Sequence, residues 1–256
     1  MHKIDSVDVS GIWITIPSGP PGDPLAAVVP EKLLTSGGPH EVTFRTFACT
    51  GASAELRALL VRAGLPLRFA RRSLLFAQGE EPLDVLILTA GLVKLSRLGP
   101  NGGAAIIGLR GPAWLLGSEA LLTGEPYAVS ACAVLPCEAH RLSGTTFVRL
   151  LREDPTISAW VHRLQAEEVA STLARAGDRG ILSARQRLAT LLEDLEAALP
   201  LDRRGRELPL RDWEIAQLVG VTPPYLSRLV HELTSADRLR RLGTSLYIPP
   251  DTAPDH

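Results

Sequence analysis

Near the C-terminal end of this 256-residue chain, Tyr225, Ser227, Arg228 and His231 stand among apolar residues at helical spacing. Leu226, Leu229, Val230 and Leu233 would turn to a core and leave those four polar side chains outside. What such a set could do is read nucleic acid. The Arg228 guanidinium has the fork geometry that grips O6 and N7 of guanine, while the hydroxyls of Ser227 and Tyr225 suit thymine or the backbone. Arg238, Arg240 and Arg241 follow closely enough to serve as phosphate contacts.

These residues need an element to present them, and residues 212–233 supply one. Ile215, Leu218 and Val219 mark the inner face of a first short helix, with Ala216 small enough to let a second helix cross closely. Gly220 suits a left-handed stop, and Val221 plugs the corner. Thr222 is placed as an N-cap before Pro223, a first-turn proline whose missing N–H needs no partner. The pattern is a helix-turn-helix, which also occurs as a plain packing corner. Pro224 offers no polar contact to a base, and the two prolines together remove two N–H groups that would otherwise face a phosphate.

Composition leaves this reading open and closes others. With 27 basic and 28 acidic residues the net charge is −1, but a DNA reader need be basic only on one face. No apolar run of about 18 residues is present to span a bilayer, and the N-terminus lacks the basic-then-apolar order of a signal peptide, so a cytoplasmic protein with no membrane contact is expected. Cys49, Cys132 and Cys137 are odd in number and lack metal-ligand spacing, which makes buried thiols the plain expectation. A thiol switch between Cys132 and Cys137 depends on a distance that spacing does not give. There is no nucleophile elbow with a Ser-His-Asp order, no phosphate-cradling glycine loop followed by lysine and no metal cluster, so no enzyme is expected.

In chain order, residues 1–46 carry proline- and glycine-rich stretches and read as a flexible or loosely docked extension, in which Trp13 with Ile12, Ile14 and Ile16 adds a strand or docks on the body. Leu56, Leu59 and Leu60 suggest a short helix. Strands are then expected at 67–69, 73–76, 84–89, 91–98, 104–109, 128–134 and 138–142, with Asn101-Gly102 the best hairpin signal. Many short strands at this spacing predict a sandwich or barrel. A short helical run from 143 to 151 follows. Asp154-Pro155 opens a long helix through Ile157, Trp160, Val161 and Leu164 to about Ala176, and Gly177 and Gly180 weaken it into a hinge. Ser183 to Gln186 reads as a capping box, residues 207–210 as a strand, and residues 239–248 as a hairpin turning at Gly243.

This order resembles the Crp-Fnr superfamily of bacterial transcription regulators over roughly residues 54–249. The resemblance rests on Leu75 to Glu80 with its Gln-Gly-Glu turn, Gly91-Leu92-Val93 before a strand, Leu116 to Leu122, and the helix-turn-helix residues Glu214 to Thr222 and Leu226 to Leu229. It implies an α+β protein with an N-terminal double-stranded β-helix, a jelly roll of the cyclic-nucleotide-binding kind, then a long dimerisation helix and a C-terminal winged helix-turn-helix. The domains are expected at 1–46 (extension), 47–153 (β-roll sensor), 154–180 (dimer helix and hinge) and 181–256 (DNA binding). The implied partners are double-stranded DNA, a second copy of the chain, RNA polymerase and a small effector that is not identified. The implied DNA set is Thr222, Tyr225, Ser227, Arg228, His231, Arg238, Arg240 and Arg241.

The resemblance places an effector pocket at Gly117, Ser118, Glu119, Val129, Ser130 and Thr172. Cyclic-AMP binders of the family are similar to one another in a Gly-Glu pair and an Arg-Ser pair; here those places read Gly117-Ser118 and Val129-Ser130. A phosphate buried without a cation loses hydration uncompensated, so weak or no cyclic-AMP binding is expected. One cysteine before the roll does not make the N-terminal cluster of the iron–sulfur branch. Haem stays open, with His140 and His162 read as ordinary residues. The function expected is a homodimeric regulator binding a near-palindromic site under control of a signal sensed by the roll. The alternative is a signalling adaptor whose degenerate winged helix makes protein contacts.

Overall fold

Val85, Leu86, Ile87 and Leu88 are four apolar residues in succession, and all four are buried. A strand of this kind must be covered on both faces, and much of the architecture follows from that. The computed structural model describes residues 58 and 61–250, together with two strands before them, β1 (Asp5–Val9) and β2 (Ile12–Ile16). These two pair antiparallel with Val7 opposite Ile14, so the Trp13 segment is one half of a hairpin. The short helix expected from Leu56, Leu59 and Leu60, Cys49, and the parts of the expected extension beyond the hairpin lie outside the described residues. The chain divides into compact units at residues 1–43 and 44–256, and every element after the hairpin belongs to the second.

Two antiparallel four-stranded sheets form the roll. One has the order β3 (Leu65–Phe69), β10 (Cys137–Ser143), β5 (Asp84–Ala90), β8 (Leu115–Leu116); the other has β4 (Leu74–Phe76), β9 (Ser130–Ala133), β6 (Val93–Leu98), β7 (Ala104–Arg110). A short helix, α1 (Ser118–Thr123), packs beside β5. Leu86 and Leu88 of β5 point into the core between the sheets, where they join Phe76, Val93, Leu95, Ala131, Ala133 and Ala139. Val85 and Ile87 point outward and are covered by Phe147 of α2 (Gly144–Glu153) and by Ile157, Trp160, Val161 and Leu164 of α3 (Pro155–Ile181). The expected strands are present within a few residues of their bounds. The very short β8 was not foreseen, because two residues carry no periodicity.

The long helix starts as its sequence dictates, with the Asp154 carboxylate accepting from the Thr156 and Ile157 N–H groups and Pro155 in the first turn. It does not break at Gly177 or Gly180. Both residues are helical, and the chain changes direction only at Leu182 and Ser183. A glycine costs a helix about 1 kcal/mol relative to alanine, which a helix anchored by four buried apolar residues in its first half withstands. Ser183 then closes the capping box with Gln186 and opens α4 (Ala184–Ala198).

The C-terminal part packs α4 on α5 (Asp212–Val219) and α6 (Pro223–Ser235), with a three-stranded antiparallel wing of order β11 (Arg206–Glu207), β13 (Ser245–Ile248), β12 (Arg240–Leu242), whose first strand precedes α5 and whose other two follow α6. The expected strand at 207–210 shortens to Arg206–Glu207. Leu188, Leu195, Ile215, Ala216, Val219, Leu226, Leu229 and Val230 share a core into which the roll inserts Leu92, Leu109 and Val134. Roll and winged helix therefore meet in continuous apolar packing.

Candidate nucleic-acid interface

The helix-turn-helix has the geometry its sequence implies. Gly220 ends α5 in the left-handed region at φ 71° and ψ 46°, donating its N–H to Gln217 and Ala216 carbonyls. Arg187 of α4 donates from Nε to the Val219 carbonyl at 2.8 Å, so a last-turn acceptor of α5 is satisfied from outside. Thr222 caps α6 with extended backbone angles, yet its hydroxyl makes no capping hydrogen bond. Pro223 and Pro224 follow without N–H groups, and Tyr225 bonds to the Thr222 carbonyl instead. The prolines thus leave the Thr222 hydroxyl to the outside.

On the solvent face of α6, Thr222, Tyr225, Ser227, Arg228 and His231 are all exposed, while Leu226, Leu229 and Val230 are buried. The Arg228 guanidinium lies 5.1 Å from the Tyr225 ring centroid, a cation–π contact that restricts its rotamers without using its donors. Arg238, Arg240 and Arg241 are exposed around the wing. Arg241 donates to Asp212 at 2.8 Å, so a phosphate would compete there with a carboxylate; the other two carry no such pair among the described residues.

The expected effector residues lie at the start of α1, around the start of β9 and on α3, and not as a row of open ligands. Gly117 begins α1 with the Tyr127 ring against its Cα, and Ser118 beneath it is buried. The Ser130 hydroxyl accepts the Gln78 N–H at 2.9 Å, and Val129 packs on the roll core. Thr172 accepts from Arg175 at 3.1 Å. Glu119 presents surface to solvent, but the protein crowded around its carboxyl raises its pKa by desolvation; Glu168 adds repulsion and Arg110 opposes it.

The dominant group here was not foreseen. Arg110, at the end of β7, is 1% exposed. Its guanidinium pairs with both oxygens of Glu168 from α3, with Nε to Oε2 at 3.2 Å, donates to the Leu109 carbonyl at 2.7 Å, and lies 4.8 Å from the Trp114 ring centroid. Arg175, one further step along the same face of α3, has its pKa lowered by burial and by Arg110. Trp114 Nε1 is buried without an acceptor among the described residues. A charged residue after an apolar run reads as a strand end, so β7 was expected to stop at Leu109.

Cys132 is half-buried and Cys137 buried, both as free thiols. Burial pushes the Cys137 thiol up, which keeps it protonated and a poor nucleophile. Among the described residues no group of His, Cys, Asp and Glu could hold a metal ion, and no helix is long and apolar enough to cross a membrane.

Comparison with known proteins agrees with this architecture. Residues 66–154 match the cyclic nucleotide-binding domain family. The chain is 24% identical over 211 residues to a CRP-like cAMP-activated global transcriptional regulator of Mycobacterium tuberculosis, covering 81% of this chain and 94% of the relative. It is 25% identical over 180 residues to the nitrogen fixation regulation protein FixK of Azorhizobium caulinodans, covering 69% and 71% respectively. Among solved structures, the global regulator CLP of Xanthomonas campestris has the same fold, with a TM-score of 0.62 at 17% identity over 77% of this chain and all of that one. The relatives are named as regulators, and the fold is shared with the solved structure. The chain is similar to transcription regulators of the Crp-Fnr type.

Proposed function

We propose that the protein is a cytoplasmic homodimer that binds near-palindromic double-stranded DNA through α6 and the wing, under control of a signal received where the roll meets α3. The observation that carries the DNA reading is Arg228, exposed on α6 and braced on Tyr225. Thr222, Ser227, His231, Arg238 and Arg240 flank it, and RNA polymerase is the further partner in this reading. Residues 47–153 sense, residues 154–180 pair with a second copy, and residues 181–256 read DNA; reorientation takes place at Leu182 and Ser183, beyond the unbroken helix.

A gel shift against a pool of random duplexes tests it. Wild type is expected to select a site, and Arg228→Ala to lose about 1–3 kcal/mol of discrimination at one base pair of each half-site. No selection by wild type, or an unchanged site in the variant, would favour the adaptor reading instead.

The dimer seam follows from the two faces of α3. Glu168, Ser171 and Arg175 continue the inner stripe begun by Ile157, Val161 and Leu164, whereas Val169 and Leu173 are 58% and 67% exposed on the outer one. Apolar residues at that spacing on a long helix suit a coiled pairing with a second copy. Leu173→Asp is expected to give a monomer in sedimentation at micromolar concentration with the roll still folded; an unchanged dimer would move the seam elsewhere.

Cyclic nucleotide is not the signal in this reading. Val129 supplies no cation for a phosphate, and Arg110 is already neutralised by Glu168. An effector reaching Arg110 must displace that carboxylate, and a hydrogen-bond acceptor on it would also satisfy Trp114 Nε1.

A further inference from the structure

β7 is the edge strand of its sheet, so every second N–H and C=O on its outer side lacks a ladder partner. Gln217 of α5 fills two of those places. Its Oε1 accepts the Ile106 N–H at 3.0 Å, and its Nε2 donates to the Ala104 carbonyl at 3.1 Å. A primary amide is the side chain that reproduces both halves of a strand's pairing, one acceptor and one donor.

One turn earlier on α5, Glu214 is 8% exposed and pairs with Lys94 of β6, the strand next to β7. Its other oxygen accepts the Arg211 N–H at 2.8 Å, and the Trp213 ring centroid lies 5.4 Å from the Lys94 ammonium. Arg71 adds a bond to the Pro209 carbonyl at 3.1 Å. The opposite side of α5, through Ile215, Ala216 and Val219, carries α6. The place of the reader helix relative to the roll is therefore set by contacts that α5 makes to two strands. The same β7 is tied at its far end to α3 by Arg110 and Glu168.

We infer that Gln217 and Lys94 are positioning residues for DNA recognition: they set the distance between the two reader helices of a dimer, and hence the half-site spacing the protein selects, without touching DNA. This rests on the DNA-binding reading above. In a symmetric dimer each reader helix hangs from its own roll, so any freedom at the α5 seat becomes uncertainty in the separation of the two helices.

The test uses full-length protein and duplexes carrying the selected half-site twice, with the separation stepped by one base pair. Wild type is expected to bind one separation about tenfold more tightly than its neighbours. Gln217→Glu is isosteric but loses the donor and sets a carboxylate against the Ala104 carbonyl; it is expected to flatten the profile to within about threefold while single half-site affinity stays unchanged. Lys94→Met should flatten it too, and Lys94→Arg should restore it. Exchange of the Ile106 amide with deuterium, read by NMR without DNA, should quicken about tenfold in Gln217→Glu.

A profile unchanged in Gln217→Glu overturns the inference even where Ile106 exchange quickens, because the seat has then loosened without consequence. Unchanged Ile106 exchange overturns it as well. Wild type that selects no site at all removes the DNA reading itself, with the Ile106 result still separating a real seat from none.

Discussion

Glu168→Ala is expected to destabilise the protein by about 3–5 kcal/mol, more than truncating the arginine it pairs with. The asymmetry comes from where each charge lies. The Arg110 side chain is 2% exposed and that of Glu168 is 38% exposed. Removing the carboxylate leaves a guanidinium whose close contacts among the described residues are the Leu109 carbonyl and the Trp114 ring face, inside protein that water does not reach. Removing the guanidinium in Arg110→Met leaves a carboxylate that water solvates, at a loss on the order of 1–3 kcal/mol. The double replacement Arg110→Met with Glu168→Leu is expected within about 1 kcal/mol of wild type, since apolar residues of similar volume commonly replace buried pairs at little loss.

Urea unfolding at fixed protein concentration measures all three, because the apparent stability of the proposed dimer would move with concentration. Should Arg110→Met prove the more damaging change, the guanidinium is not held by its carboxylate and the coupling of β7 to α3 fails with it. Glu119 offers an internal check. Loss of Glu168 removes a repulsion from its carboxyl and leaves Arg110 unopposed, so Glu119 ionises more readily and replaces part of the lost pairing. Glu119→Gln added to Glu168→Ala should then deepen the loss.

How much of this was legible depends on the distance over which each residue finds its partner. The reader helix was legible because its causes are local: Leu226, Leu229 and Val230 repeat at helical spacing, and Gly220 and Pro223 bound the turn. Its exposed set of Tyr225, Ser227, Arg228 and His231 followed from the same spacing, whereas Thr222, read as the cap, keeps its hydroxyl out of the helix. The strands of the roll were legible from alternation and turns. Arg110 was not, because its burial is decided by Glu168, 58 residues later. Lys94 and Glu214 are 120 residues apart, and Gln217 finds Ile106 across 111; no periodicity relates such positions. Gly177 and Gly180 misled in the opposite direction, since local propensity marks a weak point and tertiary packing decides whether the helix breaks there.

Gly91 joins the two kinds of signal, and Gly91→Ala is expected to destabilise the fold by about 4 kcal/mol or more. The residue sits at φ +95°, where a side chain is strained in any surroundings, and the surroundings are closed as well. A Cβ would lie 2.4 Å from the Pro136 carbonyl oxygen and 2.8 Å from the Cys137 Cα, both backbone atoms that no rotamer change can move. Gly102, at φ +75° in the β6–β7 turn, has nothing within 4 Å of its would-be Cβ. Gly102→Ala therefore carries only the conformational part, about 1–2 kcal/mol. Chemical denaturation of the two variants side by side separates the terms, and equal losses would show that the approach of Pro136 does not matter. The consequence for function lies in the next residues. Leu92 accepts the Val134 N–H at 2.7 Å, and both side chains belong to the core shared with the winged helix. Pressure at Gly91 is relieved by moving residues 134–137, which shifts the apolar part of the seat under α5. A Gly91→Ala protein that still folds at low temperature should therefore show the flattened half-site spacing profile expected of Gln217→Glu, reached from the opposite side of the same junction.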